Sequence, residues 1–208
     1  LQSIIGSAEL LENGLVEPED QPRFLNRIHQ EADRLVSLIN DILRLSQLDE
    51  GGALPHEQVS VLELAQEAAR SLTAQAAAKA VHISVTGTAG TVFGVRRLLY
   101  EIARNLCENA VKYNVPGGSV TVEVAETDRD VTLLVRDTGI GIPEGDQSRV
   151  FERFYRVDKS HSRAIGGTGL GLSIVKHAVA YHHGTLRLES QPGKGTVITV
   201  TLPKEPTE

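Results

Sequence analysis

One long apolar stripe constrains the fold of this chain more than any other feature. Leu25, Ile28, Ala32, Leu35, Ile39 and Ile42 recur three and four residues apart, the spacing of a heptad seam. Leu38, Leu45 and Leu48 widen the stripe beyond what one neighbouring helix covers. A second stripe precedes it, formed by Ile4, Ile5, Ala8, Leu11 and Leu15. Asn13-Gly14 and Glu17-Pro18-Glu19-Asp20 break the chain between them. The pattern predicts a helical hairpin whose uncovered face is met by the hairpin of a second copy, giving a four-helix bundle. A generic coiled-coil hairpin has the same periodicity.

The heptads stop at Asp49-Glu50-Gly51-Gly52-Ala53-Leu54-Pro55, where glycine and proline appear. This places a hairpin domain at 1–50, a linker at 51–57 and a second domain at 58–208, within the prior for a chain of 208 residues. The second domain alternates element types. Val61–Lys79 reads as an alanine-rich helix, followed by strands at His82–Val85 and Thr91–Phe93 and a helix from Val95 to Tyr113. Val120–Val124 and Val131–Val135 make a hairpin-like pair, a helix runs near Ser173–Tyr181, and Thr185–Ser190 pairs with Thr196–Leu202 across Gln191-Pro192-Gly193-Lys194. Helices on one side of a mixed sheet are the expected layering, so the whole is an α+β protein: helical hairpin, then two-layer α/β sandwich.

The helix through Asn105-Leu106-Cys107-Glu108-Asn109-Ala110-Val111-Lys112-Tyr113 carries the chemistry. Asn105, Asn109, Lys112 and Tyr113 share a face, while Leu98, Ile102 and Leu106 mark the apolar one. Asparagine is a poor helix former, so two of them on a plain solvated face have no local reason. Their amide oxygens suit a hard cation, the ammonium suits phosphate, and the ring suits stacking. Two glycine-rich segments follow. Asp137-Thr138-Gly139-Ile140-Gly141-Ile142 ends a strand-like run, and Gly166-Gly167-Thr168-Gly169-Leu170-Gly171-Leu172 leads into a helix. Glycines let backbone approach a ligand, and a helix N-terminus presents N–H groups to phosphate. A carboxylate such as Asp137 accepts from the exocyclic amine of adenine, whereas guanine offers a carbonyl there.

Each glycine segment alone is weak, since Asp-Thr-Gly is also a common turn. The second does not follow a strand, so it is no dinucleotide fingerprint. Neither a Gly-x-x-x-x-Gly-Lys-Ser/Thr loop nor a His-Arg-Asp catalytic loop occurs. Between the two segments, Glu144–Arg163 reads as a lid of charged and small residues. Phe151, Phe154 and Tyr155 in it serve either as core contacts or as a dock, with Arg153 and Arg156 beside them.

Taken in order, Asn105…Asn109…Lys112-Tyr113, Asp137-x-Gly139-x-Gly141, Phe151-Glu152-Arg153-Phe154-Tyr155-Arg156 and Gly167-x-Gly169-x-Gly171 resemble the N, G1, F and G2 boxes of bacterial two-component sensor histidine kinases. The resemblance covers nearly the whole chain. It implies a Bergerat ATP-binding fold and the cofactors ATP and Mg²⁺. Asn109, supported by Asn105, would hold the magnesium ion; Lys112 would contact phosphate and Tyr113 would pack near adenine. Asp137 would bind the adenine amine, with Gly139 and Gly141 shaping the pocket. Gly167, Thr168, Gly169, Leu170 and Gly171 would form the hinge and phosphate-side wall, Thr196 would line the base pocket, and Arg153 would reach phosphate or the acceptor helix.

Related gyrase-type ATPases carry a glutamate where this chain has Asn105 and use it to activate water. An amide cannot be that general base. The implied function is therefore autophosphorylation of a histidine, then phosphotransfer to an aspartate on a response-regulator receiver domain, with the chain as a homodimer through its hairpin. A gyrase-type ATPase, a serine-phosphorylating anti-sigma factor and a nucleotide-binding scaffold are the rival readings. The family's His-Glu-x-x-Thr-Pro acceptor pattern precedes a stretch very like Leu1-Gln2-Ser3-Ile4-Ile5-Gly6. None of the seven histidines lies in the first helix. The expectation is a piece of a longer protein whose acceptor histidine, sensor and membrane segments lie upstream. His29 reads as a surface residue, and His182-His183 has no further ligands to make a metal site. Gly94 departs from the aspartate many relatives carry before the nucleotide helix, which bears on how that helix is capped.

A net charge of −6 argues against a nucleic-acid surface. One cysteine, Cys107, permits no internal disulfide and points to a reducing compartment. With no spanning apolar run, the expected setting is the cytoplasmic domain of a bacterial protein, reaching the membrane only through upstream segments.

Overall fold

The computed structural model describes residues 2–49, 54–157 and 168–205. Two helices come first, α1 (Gln2–Glu12) and α2 (Gln21–Asp49), packed on each other. Gly14, at φ +65°, and the bond from Asn13 Nδ2 to the Glu9 carbonyl (2.8 Å) end α1 where the sequence predicts the break. Ile5, Leu15, Leu25, Val36 and Ile39 remain exposed on this pair, while Leu38 packs against the buried pair Leu170 and Ile174. The seam therefore faces two ways, and a single copy covers only part of it.

The remaining elements are β1 (Glu57–Ser60), α3 (Val61–Ser71), α4 (Thr73–Ala78), β2 (His82–Gly87), β3 (Thr91–Gly94), α5 (Arg96–Lys112), β4 (Ser119–Glu126), β5 (Asp130–Asp137), the short α6 (Glu144–Gln147), α7 (Gly171–Tyr181), β6 (Thr185–Gln191) and β7 (Gly195–Pro203). Five strands form a mixed sheet in the order β2-β4-β5-β7-β6, parallel only between β2 and β4. β1 and β3 make a separate antiparallel pair. Val120, Val122 and Val124 of β4 and Val131, Leu133 and Val135 of β5 are buried, with more exposed residues between them. That period of two gives the sheet one core face. α3, α5 and α7 pack against it through Leu64, Ala65, Leu98, Ile102, Leu106, Val175 and Val179. Cys107 lies in this core, where burial pushes its thiol up to about 12 and keeps it protonated and inert.

One expected helix is broken. Val61–Lys79 divides at Leu72, whose φ/ψ of −101°/2° leaves the helical region. Ser71 and Thr73 flank the break, and their hydroxyls bond back to the carbonyls of Ala68 and Arg70 (2.7 and 2.9 Å). Such hydroxyls compete with the helix ladder, and the kink turns Leu72 and Ala76 into the core.

Gly94 has a structural account. α5 begins at Arg96 with Val95 as its N-cap, and no side chain of the cap serves it. The Val95 N–H instead donates to Nε2 of His182 (3.0 Å), whose Nδ1 donates to the Ala178 carbonyl (2.7 Å). A Cβ on Gly94 would come within 2.6 Å of the His182 ring, so glycine here makes room for the histidine. His182 is held neutral: burial lowers its pKa from 6.5, only partly opposed by the Ala178 carbonyl. The unfolded chain protonates this group first as pH falls. Stability contributed by His182 is therefore complete above pH 6.5 and lost progressively below it. Urea midpoints of the wild type should fall between pH 7 and pH 5.5, and those of His182→Gln should fall less; parallel losses would refute the assignment.

Candidate nucleotide site

The site is built where the last turn of α5, the end of β5, the start of α7 and the β6–β7 turn converge. Asp137 is the final residue of β5, and the β5–β7 register brings it to the start of β7. Its Oδ1 accepts from Gly139 N (2.8 Å) and from Thr196 N (3.2 Å), so two backbone donors orient the carboxylate. Burial raises the Asp137 pKa, and those two hydrogen bonds pull it back only in part. A half-buried carboxylate held open in this way is poised to accept from a ligand.

The loop after Asp137 is clamped from both sides. Ile140 N donates to the Tyr113 carbonyl (3.1 Å), and Gly193 N donates to the Ile140 carbonyl (2.8 Å). A Cβ on Gly139 would meet the Tyr113 carbonyl oxygen at 2.3 Å, and one on Gly141, at φ +69°, would meet that of Gln191 at 2.1 Å. Both glycines are thus required by close backbone approach. Residues not foreseen from the sequence complete the clamp. Ser190 Oγ accepts from Ile142 N (2.8 Å), and Gln147 Nε2 donates to the carbonyls of Ile142 and Ser190 (3.0 and 2.9 Å). Buried Asn114 bonds the Ser119 carbonyl and Thr138 (3.0 and 3.2 Å). No spacing rule marks these partners, which come from a strand, a short helix and a loop.

On α5, Asn105 and Asn109 face the first turn of α7. A Cβ on Gly171 would lie 2.9 Å from Asn105 Oδ1 and 3.8 Å from Asn109 Nδ2. The N-cap of α7, Leu170, makes no side-chain cap bond, and the positive end of the helix dipole lies beside Asn105. Lys112 and Tyr113 close the row, with the ammonium 5.9 Å from the ring centroid. Burial raises the Tyr113 pKa, opposed by the nearby Arg156 guanidinium. Lys79 caps the end of α5 by donating to the Lys112 carbonyl.

The remaining expected residues are placed as follows. Thr196 lies against Asp137 and bonds Ser190 through its hydroxyl (2.9 Å). Thr168 Oγ1 accepts from Leu170 N (3.3 Å). Gly169, at φ +75°, lets its carbonyl accept from Phe154 N (2.9 Å), joining the lid to the start of α7. Leu170 offers no surface to a ligand: it is fully buried against Ile174, and its carbonyl serves Ile174 N and Ser173 Oγ. Arg153 is exposed and donates to His177 on α7 (3.3 Å). Within the lid, Tyr155 donates to Asp146 and the Arg149 guanidinium sits 4.3 Å from its ring centroid. Phe154 is exposed and Phe151 half-buried. Gly167 and lid residues 158–163 lie outside the described residues.

A carboxylate at a sheet end, an amide row and an uncapped helix start on one side of a mixed sheet define a GHKL-type, or Bergerat-fold, ATPase module. Comparison with known proteins agrees: the family "Histidine kinase-, DNA gyrase B-, and HSP90-like ATPase" matches residues 94–206, and "His Kinase A (phospho-acceptor) domain" matches residues 1–51. The chain belongs to the sensor histidine kinases. It is 39% identical over 214 residues to the sensor-like histidine kinase SenX3 of Mycolicibacterium smegmatis, covering 99% of this chain and 55% of that protein. It is 35% identical over 209 residues to the sensor histidine kinase WalK of Bacillus subtilis, covering 94% and 33%. Among solved structures it resembles the mycobacterial sensor histidine kinase MprB (33% identity, TM-score 0.64, 74% of this chain and 100% of that one). It also resembles full-length ShkA in complex with AMPPNP (27% identity, TM-score 0.74, 97% and 42%). The chain spans about half the length of the SenX3 relatives it matches.

Proposed function

We propose that this chain is the catalytic core of a sensor histidine kinase. It binds ATP with Mg²⁺, transfers the γ-phosphoryl group to a histidine upstream of Leu1 in the longer protein, and supports transfer onward to a response-regulator aspartate. The observation that carries the reading is the Asp137 carboxylate, oriented by Gly139 and Thr196, whose loop is bonded to the end of the helix carrying the Asn105–Asn109 row that faces the start of α7. The bound AMPPNP named for ShkA supports adenine nucleotide as the ligand.

The donor set fits magnesium. Among the described residues no group of three His, Cys, Asp or Glu side chains stands ready for a metal. Mg²⁺ accepts one or two hard oxygen ligands and completes its shell with phosphate and water. Asn109 and Asn105 would hold it, and its charge would offset that of the phosphates during transfer. Asp137 would orient the base, while Lys112 and the α7 N–H groups would hold the phosphate tail. With an amide at position 105, no general base faces a water molecule there, so ATP persists until the histidine arrives. The exposed Leu25, Val36 and Ile39 are the surface on which a second copy would complete the bundle. Among the described residues no helix is long and apolar enough to cross a membrane.

The protein extended upstream through its acceptor helix, incubated with γ-labelled ATP and Mg²⁺, should gain acid-labile, alkali-stable phosphate. Asn109→Ala should reduce that label by about 100-fold or more, the scale of losing one electrostatic stabiliser of the transferred group. Nucleotide binding without label would replace the kinase reading with that of a scaffold.

A further inference from the structure

Glu101 occupies the same stripe of α5 as the two asparagines, one turn before Asn105. It is 6% exposed, deep for a carboxylate, and a carboxylate so placed needs hydrogen-bond donors. Asn105 is one: its Nδ2 donates to the Glu101 carbonyl oxygen (2.8 Å) and to Glu101 Oε2 (3.2 Å). Both partners are acceptors only, so the amide nitrogen must face them and Oδ1 must face the other way. That direction is the first turn of α7, the phosphate side of the proposed site, since a Cβ on Gly171 would lie 2.9 Å from Oδ1. An amide free to turn over would present N–H groups to the same space, which a cation rejects.

We propose that Glu101 is a positioning residue for the metal–phosphate end of the nucleotide site, acting through Asn105. Its side-chain oxygen locks the amide with Oδ1 toward the first turn of α7 and draws electron density toward that oxygen. The inference rests on the nucleotide reading of the site. It assigns Glu101 no contact with nucleotide and no proton transfer. The required feature is an acceptor at the reach of a glutamate side chain, and the negative charge is secondary.

Calorimetric titration of AMPPNP into the full chain, across a series of Mg²⁺ concentrations and in EDTA, tests this. Three variants separate the causes: Glu101→Leu removes the acceptor, Glu101→Asp keeps the charge but withdraws the oxygen, and Glu101→Gln keeps the acceptor without the charge. Leu and Asp should raise the Mg²⁺ concentration for half-maximal tightening about tenfold, the scale seen for outer-shell partners. Gln should stay within about twofold of wild type, and binding in EDTA should be equal in all four proteins. Should Glu101→Leu fail to fold, the Asp and Gln pair decides alone. Equal midpoints in Asp and wild type, a raised midpoint in Gln, or parallel losses with and without Mg²⁺ would each overturn the assignment. Wild-type protein that ignores Mg²⁺, or binds no AMPPNP, would instead sink the nucleotide reading before any variant is compared.

Discussion

Asp137→Asn is expected to cost about 100-fold or more in ATP affinity while leaving the fold as stable as before, or slightly more so. The two effects separate because of how the carboxylate is held. Oδ1 is committed to Gly139 N and Thr196 N, both donors, so the substituted amide must keep its oxygen there. Its NH₂ group then faces the gap and meets the adenine amine donor to donor. A hydrogen bond to a charged group is worth roughly 1.5–3 kcal/mol, and an unmatched donor adds to the loss. Stability moves the other way. Burial raises the Asp137 pKa in the folded protein, so the ionised side chain is a cost to folding above its ordinary value of 3.8. Asparagine removes that cost at neutral pH. Calorimetry with ATP and a thermal melt on the same preparation check both halves. Lost binding accompanied by a large drop in Tm would show that Asp137 is structural.

The second large effect is expected at Gly195, where Ala should unfold the corner that holds Asp137. Gly195 sits at φ +98°, and a Cβ there would lie 1.9 Å from the Asp137 carbonyl oxygen. No flexible side chain can move aside, since the obstacle is the backbone of β5. Strain of this kind together with overpacking amounts to about 2–5 kcal/mol, a fall in Tm on the order of 10 °C for a chain of this size. Because Thr196 N must shift with its neighbour, nucleotide binding should be lost as well. By contrast, Gly193→Ala places a side chain in open space, although its φ of +77° leaves some strain. A variant at Gly195 that melted like the wild type would refute the packing described for this corner.

The comparison of these two positions shows what could be read in advance. Asp137 was legible because a carboxylate, a turn and two glycines stand together in the chain, and chemistry of that kind is local. Gly195 was visible only as part of a glycine-containing turn. Its importance comes from Asp137, 58 positions earlier, being folded against it by the β5–β7 pairing. The same holds for Gly94, whose departure from the familiar pattern is explained by the ring of His182, just past the end of α7, occupying the space. Glu101 did leave a trace, four residues before Asn105, but periodicity alone does not tell a buried carboxylate from a solvated one.

The strands were legible because alternation along β4, β5 and β7 matches a sheet with one buried face. Leu170 was not, since the glycines around it suggested a phosphate loop, and only the packing of α2 against α7 draws its side chain inward. The break at Leu72 lies between these cases: Ser71 and Thr73 are local signals, but the pull of Leu72 into the core decides the kink.

By itself, the amino-acid order determined most of the element types, the sandwich and the helical hairpin and pointed to the groups proposed to bind a nucleotide, because periodicity and turn chemistry act over a few residues. Which oxygen of Asp137 is committed and which glycines cannot be replaced were decided by the tertiary structure. Those properties depend on atoms brought into contact from distant parts of the chain, and contact of that kind has no signature in local spacing.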